Sequence, residues 1–153
     1  MFDLVITGGT VIDGTGTPGV RADVGVADGR IAAVGDLAGA EAVETVDATD
    51  KVVCPGFVDP HTHYDAQIFW DPWATPSSLH GVTSLVMGNC GFSLAPIGDE
   101  SDAAYIGAMM VKVEGMSPAA LEIGVDWDWR STADYLDRLD GNIGVNVAAM
   151  VGH

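Results

Sequence analysis

PGFVDPHTHYD, residues 55–65, places two histidines one residue apart behind a Pro-Gly turn and a short apolar run. The chain has only four histidines, so their pairing here is the feature to explain. A Pro-Gly break followed by GFVD reads as the start of a buried strand, with His61 and His63 just past its C-terminal end. Along extended backbone, residues i and i+2 project to the same side. Two imidazoles so placed can hold one divalent cation, with bonds of about 2.0–2.1 Å to zinc. In βα architectures, reactive groups gather at the C-terminal ends of strands. That setting ranks a shared cation ahead of two unconnected loop histidines.

Working outward, GFVD (56–59), VTSLVM (82–87) and IGVNVAAMV (143–151) are apolar runs without clean alternation. This is the pattern of strands buried on both faces of a parallel sheet. Between the last two, residues 101–115 and 131–141 read as helices. In the second, Ser131 or Thr132 caps, Tyr135, Leu136 and Leu139 form an apolar stripe, and Gly141 ends it. Strand, excursion, strand, helices, strand is a βα-repeat arrangement. Upstream, DLVITGG, TVID, ADVGVADGR and IAAVGD are short β-rich pieces, with Asp28-Gly29 a hairpin signal. The rhythm changes at Pro55, so the expected division is 1–54 and 55–153. Gly14, Gly16 and Gly19 match the spacing of a dinucleotide fingerprint, but that motif requires a following helix. VRADVGVADGR follows instead, a strand running into a hairpin, so the glycines read as a turn.

The chain has 153 residues, enough for one domain or for part of a larger one. Its apolar content of 48% supports a buried core. Six basic against twenty-two acidic residues give a net charge of −16, which repels phosphates and argues against nucleic acid or an anionic membrane as partner. No apolar run approaches the roughly 18 residues of a membrane span. The first basic residue is Arg21 and Asp3 interrupts the start, so no secretory signal is read. Two cysteines, Cys54 and Cys90, are too few for a disulfide framework. A soluble chain of the reducing cytoplasm is the expectation.

Cys90 follows VTSLVMGN, again at the C-terminal end of an expected strand, with Gly91 leaving room around it. A thiolate is a strong zinc ligand, whereas a lone intracellular cysteine is commonly a small buried packing residue. Position alone leaves both readings of Cys90 open. Cys54, before Pro55, reads as packing. His80 precedes the second strand, at the end away from the chemistry, and reads as structural. His153 ends the third strand in VGH; contact with substrate at a pocket mouth and a plain terminal histidine are equally open. Trp127 and Trp129 in DWDWR, with Trp70 and Trp73 in FWDPW, suggest aromatic packing among loops.

PGFVDPHTHYD, HGVTSLVMGNCGFSLAP, VEGMSPAALEIGVDWDWRSTADYLDRL and NIGVNVAAMVGH together resemble the amidohydrolase superfamily, specifically its N-acyl-D-amino-acid deacylase (D-aminoacylase) branch. The opening DLVITGGTVIDGTGTPGVRADVGVADGRIAAVG is similar to that branch's N-terminal β segment, so the resemblance covers essentially the whole chain. HTH is shared across the superfamily, while GNCG followed by SLAP is far more specific to the branch.

The resemblance implies an α/β fold: the first three strands of a (β/α)₈ metal-dependent hydrolase barrel, preceded by part of a small β-sandwich. It implies metal roles for His61, His63 and Cys90, with zinc or another divalent transition metal as cofactor, one or two ions in the complete enzyme. The implied reaction is hydrolysis of a small-molecule amide such as the N-acyl bond of a D-amino acid. In that chemistry a metal polarises the carbonyl and acidifies water, and a carboxylate base carries a proton to the departing amine. A full barrel needs about 250 residues. The later histidines, the late-strand aspartate base and the closing sandwich strands that the branch implies are not in these 153 residues. No catalytic residue is therefore assigned, and the expectation is an N-terminal portion inactive alone. Asp65 would orient a histidine from behind rather than replace the missing base. An open sheet edge invites a complementing chain or self-association. The alternatives are a split-enzyme subunit or a non-catalytic β-rich interaction module.

Overall fold

The computed structural model describes residues 1–152; His153, the substrate-contact candidate, lies outside the described residues. The chain divides into two compact units, Met1–Pro55 and Gly56–His153.

The first unit is one mixed sheet of β1 (Phe2–Val11), β2 (Val20–Ala27), β3 (Arg30–Gly35), β4 (Ala42–Asp47) and β5 (Val52–Val53). Its order is β3-β2-β1-β4, with β5 also beside β1. The β2–β3 hairpin turns at Asp28 and Gly29, both at positive φ (51° and 69°). A primed turn needs this to match the right-handed twist of its strands. DLVITGG and the first two residues of TVID, expected as separate pieces, run together in the single strand β1. The interruption lies inside the first piece, as a bulge: the pairing register shifts between Ile6 and Gly9, with Gly8 at φ +70°. The Gly8 N–H donates to Asp23 Oδ1 at 2.7 Å, and the Leu37 N–H to Oδ2 at 3.0 Å. These two donors hold the Asp23 carboxyl below its ordinary range. After Gly14, Gly16 and Gly19 comes β2, where a dinucleotide site needs a helix.

The second unit is built on a parallel sheet ordered β6-β7-β8. Its strands are Phe57–Asp59, Val82–Met87 and Asn146–Ala149. Helices α1 (Glu100–Val113), α2 (Pro118–Gly124) and α3 (Thr132–Leu139) follow β7. Helix α3 starts with the Ser131 cap that the sequence signals, in a reciprocal box with Asp134. Helix α2 is not legible in the sequence. It has seven residues and one buried side chain, Leu121, too short for a periodic signal, and Pro118 opens its first turn.

The core collects Leu85 and Met87 of β7 with Met110, Leu121, Tyr135 and Leu139 of the helices. Trp129, expected in loop packing, is a central member of this core at 1% exposure. It stacks on Phe69 at 5.2 Å and meets the Tyr135 edge at 5.2 Å. Its Nε1–H donates to the Leu94 carbonyl at 2.8 Å, which satisfies the one polar group the burial would orphan.

Two-sided burial of the parallel strands does not hold. Phe57 and Val58 are 58% and 65% exposed, and β8 alternates exposed and half-buried positions. The core packs against the face that carries Leu85 and Met87, and among the described residues the other positions of these strands stay partly or fully exposed. The third strand also starts later than expected, at Asn146, because the Gly144 N–H is taken by the Pro72 carbonyl at 2.9 Å. Among the described residues no helix is long and apolar enough to cross a membrane.

Candidate metal centre

The strand β6 ends at Asp59, whose Oδ1 accepts the His61 N–H at 3.2 Å. Thr62, the residue between the histidines, is buried at 6%. Its N–H and hydroxyl both donate to the Val86 carbonyl of β7, at 3.0 and 2.8 Å. With Thr62 fastened toward β7, the alternation of extended backbone turns His61 and His63 the other way. Their rings lie 5.4 Å apart.

Beyond Met87 the chain makes a tight turn with Gly88, Cys90 and Gly91 all at positive φ (77°, 60° and 79°). Glycine is required at 88 twice over: a Cβ there would sit 2.7 Å from the Met150 carbonyl oxygen, and the dihedral is left-handed. Cys90 adopts a left-handed conformation that a non-glycine residue rarely holds. Asn89 secures the turn, its Nδ2–H donating to the Val86 carbonyl at 3.0 Å. The outcome is a thiol facing the histidine pair: Sγ lies 3.2 Å from His61 Nε2 and 3.8 Å from His63 Nε2.

These three ligand atoms all lie within 4.8 Å of one another. Tetrahedral bonds of about 2.0–2.3 Å would put a nitrogen and a sulfur roughly 3.5 Å apart, and the two N–S distances bracket that spacing. Two imidazoles and one thiolate also suit a borderline-soft divalent ion. Donor set and spacing therefore fit a zinc-like cation. Cys90 is exposed, which removes its buried-packing alternative. Cys54 is exposed as well, so the packing role expected for it does not hold. His80 closes a 3₁₀ turn at Ser77–His80, just before β7 begins, at the opposite end of that strand from Cys90.

Two carboxylates stand behind these residues. Glu114, just past α1, puts Oε1 3.1 Å from His63 Nδ1, with its side chain 17% exposed. The sequence reading missed it; the available signal was a lone acid in the apolar end VKVEG. Asp65 is 1% exposed, and its Oδ2 accepts the Gly88 N–H at 3.1 Å. Its contact is thus with the amide that opens the Cys90 turn, while the carboxylate on His63 is Glu114. Asp65 Oδ1 has no hydrogen-bond partner among the described residues. Burial pushes the Asp65 carboxyl up to about 6. The Tyr135 hydroxyl donates to the Asp65 main-chain carbonyl at 2.9 Å. Burial first, and the Asp65 charge second, push the Tyr135 phenol well above its ordinary value.

The sequence profile of the amidohydrolase family matches residues 44–153, most of the chain and all three candidate ligands. The chain belongs to the amidohydrolase family. A D-aminoacylase of Alcaligenes xylosoxydans xylosoxydans is 44% identical to this amidohydrolase chain over 153 residues, 99% of the chain and 29% of the relative. A D-aminoacylase structure described for its binuclear metal centre, with one-metal activation and second-metal attenuation, superposes with a TM-score of 0.78 at 42% identity. It is covered to 30% by the whole of this chain. The N-acyl-D-glutamate deacylase of Bordetella bronchiseptica, solved with zinc and a phosphonate mimic of the tetrahedral intermediate, gives 0.77 at 40% identity, over 99% of this chain and 30% of that one. The amidohydrolase chain thus spans about three tenths of these relatives' length. Its α/β fold, with the parallel β6-β7-β8 sheet, is a portion of the TIM-type barrel of these enzymes.

Proposed function

We propose that this chain carries the N-terminal share of a metal-dependent site that hydrolyses linear amide C–N bonds, with N-acyl-D-amino acids as the substrate class. The observation that carries the reading is the meeting of His61 Nε2, His63 Nε2 and Cys90 Sγ beyond the C-terminal ends of two neighbouring parallel strands. Similarity to a D-aminoacylase and to a zinc-containing N-acyl-D-glutamate deacylase supports the substrate class. One or two divalent ions, zinc foremost, would be held by His61, His63 and Cys90. When bound, such an ion supplies Lewis-acid polarisation of the amide carbonyl and acidifies water.

The chain's own residues do the positioning. Thr62 and Asn89 lock the two ligand-bearing turns to one carbonyl, that of Val86. Gly88 and Gly91 supply the backbone freedom that brings Cys90 round to the histidines. Asp59 caps the His61 amide, Glu114 is engaged by His63, and Asp65 holds the Gly88 amide, so each of these three carboxylates has a structural contact. The family resemblance implies an aspartate as the proton-carrying base, and no residue of this chain is assigned that role. The cytoplasm suits the site, because its reducing poise keeps Cys90 a free thiol.

Zinc titration of the full chain tests this reading, with His61→Ala and Cys90→Ser as controls. Loss of binding in both is expected; unchanged binding in both refutes it. Cobalt(II) gives an independent readout, a thiolate charge-transfer band that Cys90→Ser abolishes. A second reading rests on the sheet itself. Strands β6 and β8 each pair only with β7 among the described residues, and Phe57 and Val58 are exposed. A complementing chain or a second copy of this one would cover those edges. Amide hydrolysis restored by a chain holding the later strands supports it; a strictly monomeric protein counts against it.

A further inference from the structure

We propose that Glu114 is a positioning residue for the metal centre: it holds His63 in the Nδ1–H tautomer and so aims the Nε2 lone pair at the cation shared with His61 and Cys90. This rests on the metal reading above and adds to it a residue from outside the two ligand-bearing strands.

A neutral imidazole carries one N–H and one lone pair, and an ionised carboxylate can only accept. Glu114 Oε1 lies 3.1 Å from His63 Nδ1, so the proton belongs on Nδ1 and the lone pair on Nε2. His63 Nε2 is the nitrogen on the Cys90 side, 3.8 Å from Sγ. The contact is mostly shielded from water, with the Glu114 side chain 17% and the His63 side chain 30% exposed.

The anchor behind Glu114 is the packed end of α1. Its own N–H closes the last turn of α1 on the Met110 carbonyl at 3.0 Å, and Met110 is 2% exposed within the core. Gly115 then turns the chain at φ +67°. The carboxylate is thereby carried by a helix end fixed to the packed interior, not by a free loop. His61 has no such support: its ring meets Cys90 and its main-chain N–H meets Asp59, with no carboxylate on Nδ1 among the described contacts. The two histidines are inequivalent, His63 held in advance and His61 free to adjust. Groups that orient a metal-bound histidine from behind commonly contribute 10–100-fold in affinity.

The test uses the ¹⁵N-labelled full chain in two stages. Long-range proton–nitrogen correlation of the metal-free protein reads the His63 tautomer directly. Wild type is expected to show a protonated Nδ1; Glu114→Ala is expected to shift His63 toward the Nε2–H form, and Glu114→Gln, whose carbonyl still accepts, to retain Nδ1–H. Zinc titration then follows, with a loss of about 10–100-fold expected for Glu114→Ala and substantial rescue by Glu114→Gln. Cobalt(II) on Glu114→Ala should keep the Cys90 charge-transfer band, since the thiolate is untouched. Wild type with His63 in the Nε2–H form, or a Glu114→Ala protein with wild-type tautomer and affinity, overturns the proposal. A wild-type chain that takes no zinc overturns the metal reading instead, and the metal-free tautomer still decides whether Glu114 governs His63.

Discussion

Replacing Asp65 by asparagine isolates the energetic strain beneath the candidate site. The carboxylate is 1% exposed, accepts one N–H from Gly88 and leaves Oδ1 without a partner among the described residues. Desolvation is the main cause that lifts it from its ordinary value of 3.8 to about 6. Unfolding returns it to the ordinary value, so between about pH 4 and 6 the folded chain holds a proton that the unfolded chain releases. Stability contributed by this residue therefore falls as pH rises through that window. At about 1.4 kcal/mol per pH unit, the ionised form costs the fold about 3 kcal/mol at pH 7 relative to pH 4 and below.

The amide of the Asp65→Asn variant does not titrate. Its carbonyl can keep the Gly88 bond, and its NH₂ falls where Oδ1 had no partner, at a pH-independent cost of about 1–3 kcal/mol. The stability of Asp65→Asn minus that of wild type should thus rise by about 3 kcal/mol from pH 4 to pH 7, and level off above. Urea denaturation of both proteins at matched pH, with a chelator present, measures that difference and cancels the other carboxylates to first order. A difference that stays flat across the window refutes the assignment of a buried, uncompensated carboxylate.

Gly88→Ala must place a Cβ 2.7 Å from the Met150 carbonyl oxygen at φ +77°, so a loss of about 2–4 kcal/mol is expected by denaturation; less than about 1 kcal/mol would count against the turn geometry. Tyr135→Phe removes the hydroxyl that satisfies the buried Asp65 carbonyl and should cost about 1–2 kcal/mol, with an unchanged denaturant slope. Ser131→Ala breaks the α3 capping box, for about 1 kcal/mol of stability, and leaves zinc affinity unaltered because α3 carries no candidate ligand. If the open sheet mediates association, sedimentation velocity should show wild-type species that grow with concentration and diminish in Val58→Lys; a wild type that stays monomeric rejects that route.

What the sequence determined by itself was local. The Asp28-Gly29 hairpin, the Ser131 cap, the strand VTSLVM and the i, i+2 histidine spacing each follow from turn chemistry or from a short periodicity in one stretch of chain. Motifs of that kind also pointed to the family. Tertiary structure alone decided the rest. The alignment of β6 with β7 brings the Val86 carbonyl under Thr62, and that bond pattern turns both histidines outward. The left-handed backbone at Cys90, and hence its exposed thiol facing two imidazoles, follows a turn in which Gly88 makes room for Met150 just past β8. Glu114 meets His63 because Met110 fixes the end of α1 in the core, and Asp65 meets the Gly88 amide instead of a ring. None of these contacts has a sequence signature, because each joins groups whose separation is set by packing between elements and not by spacing within one.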